Sequence, residues 1–208
     1  MALTIKICGL RRTEDIDYVN ESLPDYAGFI LSQGFKRSIT PELFSELVCR
    51  LDDRIKSVGV FVDEPLENIR EHFAAHLDII QLHGNENEHY INALRGFFSG
   101  EIWKAVRAKT PEDIEFADML PADKLLIDSF VKGSVGGTGK TADISVIKKA
   151  RFEKTFILAG GIDISNVSSL AGELSPYGVD ISSSVETDGF KDKQKITNII
   201  THIKENRL

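Results

Sequence analysis

Short runs of apolar and β-branched residues recur along the whole chain, at 4–8, 25–31, 57–62, 79–83, 102–107, 124–128, 156–160 and 178–182. Their length and composition suit buried β-strands. Between most of them lie stretches with apolar residues at helical spacing and helix start signals. Thr40-Pro41-Glu42 precedes Leu43, Phe44 and Leu47, and Asp63-Glu64-Pro65 precedes Leu66, Ile69 and Phe73. Strand and helix alternate throughout, and eight such units within 208 residues predict an α/β chain folded as one (β/α)8 TIM-barrel domain over residues 1–208. The longest intervals follow the second and sixth strands, with loops at 32–40 and 129–141, so the second half repeats the spacing of the first. A doubly wound sheet is the competing architecture, but its usual complement of roughly five or six strands leaves part of this series unused.

Composition narrows the partners. A chain that is 42% hydrophobic and 27% charged buries an ordinary core, and a net charge of -7 with scattered basic residues argues against nucleic acid. Backbone amides and helix N-termini hold phosphate without net positive charge, so a small phosphorylated molecule remains the expected partner. Lys6 interrupts the N-terminal segment before a signal-like stretch develops, and no apolar run approaches the roughly 20 residues that span a bilayer. The expectation is no membrane partner and a cytoplasmic location. Cys8 and Cys49 are predicted to be free thiols, and no Cys/His cluster has the spacing of a metal site. Monomer and homodimer both remain open.

Alternation along the first strand puts Lys6 and Cys8 on one side, with Cys8 at the C-terminal end, where barrel active sites lie. Asp128 holds the same position at the tip of Leu125-Leu126-Ile127. Taken singly, Cys8 reads as a small buried residue and Asp128 as a loop brace; together they form a thiol and a carboxyl facing one cavity, a plausible base and acid. Leu158-Ala159-Gly160-Gly161-Ile162 and Ile181-Ser182-Ser183-Ser184-Val185 end strands seven and eight, where barrels commonly bind phosphate. Gly160, Gly161, Ser183 and Ser184 are therefore the candidate phosphate cradle. The segment from Gly133 to Thr141 ends like a P-loop, but Ser134 stands where that pattern requires its first glycine. It reads better as a glycine loop whose Gly137 and Gly139 approach the phosphate. Arg37, in the long second loop, has a planar fork suited to a substrate carboxylate. His83 ends the fourth strand as a structural residue, orienting the next loop or touching the ligand.

Read together, these segments resemble the phosphoribosylanthranilate isomerase family over nearly the whole chain. The resemblance runs through Lys6-Ile7-Cys8-Gly9, Arg12 with Glu14-Asp15, Val58-Gly59-Val60-Phe61-Val62 and Gln81-Leu82-His83-Gly84 with Glu86. It continues through Asp128-Ser129, Gly136-Gly137-Thr138-Gly139, Leu158-Ala159-Gly160-Gly161 with Asn166-Val167, Gly178-Val179-Asp180, Val185-Glu186 and Gly189 with Lys191-Asp192. It implies an Amadori rearrangement of N-(5'-phosphoribosyl)anthranilate in tryptophan biosynthesis, without metal or cofactor. Cys8 takes the family's general-base position, Asp128 the general-acid position and Arg37 the carboxylate-binding position. An unperturbed thiol is only about 3% ionised at pH 7, so Lys6 or an arginine is expected to draw Cys8 down. The acid must keep a proton, which burial or a dianionic phosphate favours. The chain departs from the family pattern at Arg11, where Thr is usual, and at Phe35-Lys36, where Ser-Pro is usual. Ala142-Asp143-Ile144 replaces a Phe-Asp-Trp-like phrase, and Ser184 replaces a glycine of the phosphate loop. Ser184 is expected either to obstruct the amide cradle or to add a hydroxyl to it. Another sugar-phosphate isomerase of the same fold, which would carry Asp in place of Cys8, and a non-catalytic sugar-phosphate-binding protein are the competing functions.

Overall fold

In the computed structural model, which describes residues 2–128 and 144–208, eight parallel strands close into a barrel in chain order. They are β1 (Thr4–Cys8), β2 (Tyr26–Ile30), β3 (Lys56–Phe61), β4 (Ile79–Leu82), β5 (Glu101–Arg107), β6 (Lys124–Asp128), β7 (Phe156–Ala159) and β8 (Gly178–Ile181), with β1 pairing β8. Helices α1 (Thr13–Ser22), α2 (Pro41–Val48), α3 (Leu66–His72), α4 (Glu88–Arg95), α5 (Pro111–Met119), α6 (Ile144–Lys149) and α7 (Val167–Leu174) connect them. After β8 the chain forms a small hairpin, β9 (Glu186–Thr187) and β10 (Phe190–Lys191), before α8 (Lys193–Glu205). None of the described helices is long and apolar enough to cross a membrane.

The pleat sends alternate strand residues into two different cores. Outward residues such as Ile5, Ile7, Phe29, Leu125 and Ile181 pack under the helices. Inward residues Tyr26, Val58, Ile79, Trp103, Leu126 and Ile157 fill the barrel itself, with the Trp103 ring edge-on to Tyr26 at a centroid distance of 5.0 Å. Fully burying each large side chain contributes roughly 1.5–3 kcal/mol, and both strand faces are buried, which is why the strands are short continuous apolar runs.

Carboxylates fix the strand starts and helix starts. Asp25, Asp78 and Asp123, each just before an even-numbered strand, accept the backbone N–H of Ile5, Ser57 and Ile102 on the preceding strand at 2.8, 2.8 and 2.6 Å. The same device thus recurs on three successive strand pairs at the N-terminal end of the barrel. At the other end, buried Asp15 accepts the N–H groups of Arg11 and Arg12 at 3.0 and 3.2 Å and pairs with the Arg12 guanidinium at 2.7 Å. That fixes how α1 leaves the end of β1. Thr40, predicted as a helix start, caps α2 by accepting the Leu43 N–H at 3.3 Å, with Pro41 in the first turn.

Candidate active site

Lys6 and Cys8 face inward from β1, as the alternation predicts, and both are buried. Asp128 follows the interior residue Leu126 by two positions, so it too faces the mouth, from the end of β6. His83 extends β4 into the same space; its Nδ1 lies 3.0 Å from Gln81 Nε2. With Gln81 donating, the ring proton sits on Nε2. Burial pushes the His83 pKa down, against the opposing pull of Asp128, so the imidazole is neutral at pH 7. The loop beyond His83 is held by buried Glu86, which accepts from the Asp63 and Gly84 N–H groups and pairs with Lys104 at 2.8 Å. His83 therefore has both a fixed ring and a fixed loop.

Arg37 reaches the other side of the mouth. Its Cδ lies where a side chain on Gly9 would stand, and Gly9 has a φ of 84°, in the left-handed region that favours glycine. Glu186 accepts from Arg37 Nε at 2.6 Å and from Nη2 at 2.8 Å, and it also accepts from buried Lys191 at 2.9 Å. Burial alone would raise the Glu186 carboxyl, but the hydrogen bonds from Arg37 and Lys191 outweigh it and hold the group at about 2. The Glu186 hydrogen bonds push the Arg37 guanidinium further up. Among the described residues, the hydrogen bonds of the Arg37 guanidinium engage Nε and Nη2 and none engages Nη1.

Two of the departures from the family pattern meet at this point. Arg11 donates to the Lys36 carbonyl at 3.3 Å and to the Gly189 carbonyl at 2.7 Å, while its guanidinium lies 4.5 Å from the Phe190 ring centroid. Arg12 stacks on the same ring, also at 4.5 Å. Arg11 therefore ties the Phe35-Lys36 loop to the β9–β10 hairpin that carries Lys191. Ser38 secures the loop's other end, donating to the Ser32 carbonyl at 2.6 Å and accepting the Phe35 N–H at 3.0 Å.

One expectation needs correction. Lys6 does draw the Cys8 thiol down, and so does Lys191, but burial pushes it up by more, with Asp180 adding to the rise, so the net shift is upward. Ser184 neither needs a glycine conformation nor turns its hydroxyl to open space. It lies in the short helical turn Ser183–Val185, outside the positive-φ set, and its Oγ donates to the Ile162 carbonyl at 2.5 Å. Ser183 is exposed, and Gly160 and Gly161, at φ 93° and 67°, form the turn after β7. Gly137 and Gly139, with the rest of the P-loop-like segment and Ala142-Asp143, lie outside the described residues.

Sequence reasoning assigned no role to Asp180, Glu186 or Lys191. Asp180 lies opposite Lys6 in the β1–β8 register, but that pairing exists only once the barrel closes, so only its place on the last predicted strand was visible beforehand. Glu186 and Lys191 had no comparable signal, because a two-residue strand has no period to read.

A closed parallel (β/α)8 barrel with ionisable side chains at the C-terminal ends of its strands defines the (β/α)8-barrel enzymes as the class. The model of N-(5'-phosphoribosyl)anthranilate isomerase matches residues 5–202 of the chain. The enzyme of that name from Thermoanaerobacter pseudethanolicus is 42% identical over 201 residues, which cover 96% of this chain and 97% of the relative. The crystal structure of phosphoribosyl anthranilate isomerase from Thermus thermophilus superposes with a TM-score of 0.84 at 30% identity, covering 98% of this chain and 100% of that one. A second structure of such an isomerase, in complex with reduced 1-(o-carboxyphenylamino)-1-deoxyribulose 5-phosphate, gives a TM-score of 0.80 at 30% identity, covering 98% and 99%. The chain belongs to the N-(5'-phosphoribosyl)anthranilate isomerase family.

Proposed function

We propose that this enzyme converts N-(5'-phosphoribosyl)anthranilate to its 1-deoxyribulose phosphate isomer with Asp128 as general acid and Cys8 as general base. The observation that carries the assignment is their placement: each is an inward-facing residue at the C-terminal end of its strand, one on β1 and one on β6. In this reading Asp128 gives a proton to the furanose ring oxygen, and the ring opens to an iminium. The Cys8 thiolate takes the proton from C2', giving an enolamine that tautomerises to the ketone. One proton is given and one taken, so no redox partner is required.

Arg37 receives the anthranilate carboxylate on the fork that Glu186 leaves open, and Glu186 fixes the plane of that fork. The phosphate sits over the turns after β7 and β8, on the amides of Gly160, Gly161, Ser183 and Ser184. His83, neutral, borders the ring beside Asp128.

The test is a continuous fluorescence assay on freshly generated phosphoribosylanthranilate. Cys8→Ser and Asp128→Asn are each expected to lower kcat by about a hundredfold or more, the range of general acid–base catalysis, with far-UV circular dichroism unchanged. Turnover untouched by both substitutions would remove the assigned roles.

A further inference from the structure

A buried ammonium lies directly beneath the proposed base. Lys6 is fully buried, and its Nζ donates to Asp180 Oδ1 at 3.1 Å. Its aliphatic stem runs along the inner face of β2, and Cys8 lies on the same face. A Cβ built on Gly28 would fall 2.9 Å from Cys8 Sγ and 3.0 Å from Lys6 Cε. Gly28 is also the register partner of Cys8. The missing side chain at this one position is what lets the thiol and the ammonium share a pocket in the barrel wall.

Four charged groups bear on Cys8: Lys6 from β1, Asp180 from β8, Lys191 from β10 and Arg37 from the loop after β2. Arg37 and Lys191 share a carboxylate of their own, Glu186. Among the described residues, Lys6 donates to one Asp180 oxygen and has the Cys8 thiol as a second side-chain hydrogen-bond partner, within the three N–H donors of an ammonium. Among the described residues, the mouth of this pocket also holds His83 after β4 and Asp128 at the end of β6, with Arg107 of β5 bearing on His83.

We propose that Lys6 is a positioning residue for the isomerisation: anchored by Asp180, its ammonium is the counter-ion that receives the Cys8 thiolate when the thiol acts as base. This rests on the base role proposed above for Cys8. Burial makes a lone thiolate costly here, and an ammonium already desolvated and already oriented offsets that cost without a new reorganisation. Asp180 has two opposing effects. It keeps Lys6 charged and in place, yet its own negative charge works against the thiolate.

Those opposing effects make the test specific. In a Cys49→Ser background, which leaves Cys8 as the single thiol, the 13Cβ shift of labelled cysteine followed against pH reads the ionisation of Cys8 without turnover. Lys6→Met is expected to move the midpoint up by about one pH unit or more, and Asp180→Asn to move it down. A general loosening of the barrel would move both variants in the same direction. Midpoints that move together, or do not move, overturn the proposal. If Lys6→Met does not fold, Asp180→Asn decides alone: a lower midpoint supports the pairing, and an equal or higher one overturns it. The titration is independent of the assay that tests Cys8 as base. Opposite shifts combined with an active Cys8→Ser enzyme would reject the base role while leaving the ion pairing intact.

Discussion

Two levels of the same barrel differ by one step of the pleat. Tyr26, Ile79, Trp103, Leu126 and Ile157 face inward as large apolar side chains and form one packed cluster. Two residues further along the same strands, the inward positions hold Gly28, Gln81, Ala105, Asp128 and Ala159. Bulk gives way to small or polar groups on these five strands, while β3 keeps a valine at both positions, Val58 and Val60. The lower level is a core whose contribution is burial; the upper level leaves space, bordered by paired charge, Lys6 (the register partner of Tyr26) with Asp180 from below and Arg37 with Glu186 at the mouth. The fold separates stability from chemistry by distance along the strand, which is how a barrel holds a costly ionic cluster without losing its closure.

The lower level is broken most severely at Trp103. Its ring is fully buried, its Nε1 donates to Glu101 at 2.9 Å, and it braces Tyr26. Trp103→Ala is expected to cost about 3–5 kcal/mol of unfolding free energy. Urea unfolding followed by circular dichroism is the measurement, since this is the chain's one tryptophan. The enzyme that remains folded should keep kcat/KM within about tenfold of wild type, a change of about 1.4 kcal/mol in barrier. A stability loss below about 1 kcal/mol, or inactivation as deep as that of Cys8→Ser, would show that the two levels are not separable.

This division also explains what could be read in advance. Every barrel strand was visible as an apolar run, and β1 and β6 match the predicted 4–8 and 124–128 residue for residue, because burial on both faces leaves a continuous signal. Cys8 and Asp128 were legible for the same reason: alternation gives their side and the C-terminal rule gives their level. The pairs that tune the site were not. Lys6 meets Asp180 across 174 positions and Arg37 meets Glu186 across 149, so each contact exists only after the barrel closes. The repeated carboxylates Asp25, Asp78 and Asp123 were hidden for a different reason: an Asp before a strand looks like any turn residue until its acceptor geometry is seen.

Within the upper level, Glu186 carries the next largest effect. Its side chain is 7% exposed and its carboxyl is held at about 2, below the ordinary 4.5. A carboxyl depressed on folding stabilises the folded state fully above its unfolded pKa, and that contribution fades as pH falls toward the folded value. Glu186→Gln is therefore expected to cost on the order of 1–3 kcal/mol near pH 7. The gap to wild type should narrow as pH falls from about 4.5 toward 2. Because Arg37 also loses its bidentate partner, KM should rise more than kcat falls. Unfolding free energies that stay parallel between pH 7 and pH 2.5, at roughly the spacing expected from linkage, would sink this account of the cluster.

The smallest expected effect separates two roles for Ser184. If its hydroxyl is a brace between the turn after β8 and the Ile162 carbonyl, Ser184→Ala removes one partly exposed neutral hydrogen bond and costs about 1 kcal/mol or less. KM should then rise by less than about threefold, because the backbone amide proposed for the phosphate is unchanged. If the hydroxyl instead turns to the phosphate when substrate binds, a charge-assisted bond is lost. That is worth about 1.5–3 kcal/mol, and KM rises roughly tenfold or more. Ser184→Gly restores the residue usual in the family and sharpens the distinction. The backbone here is not left-handed, so glycine relieves no strain and only adds freedom to the unfolded chain. It should be less stable than Ser184→Ala by about 0.5–1 kcal/mol while matching its KM. A glycine variant that binds substrate more tightly than wild type would mean that the serine side chain, rather than the backbone, restricts the phosphate site.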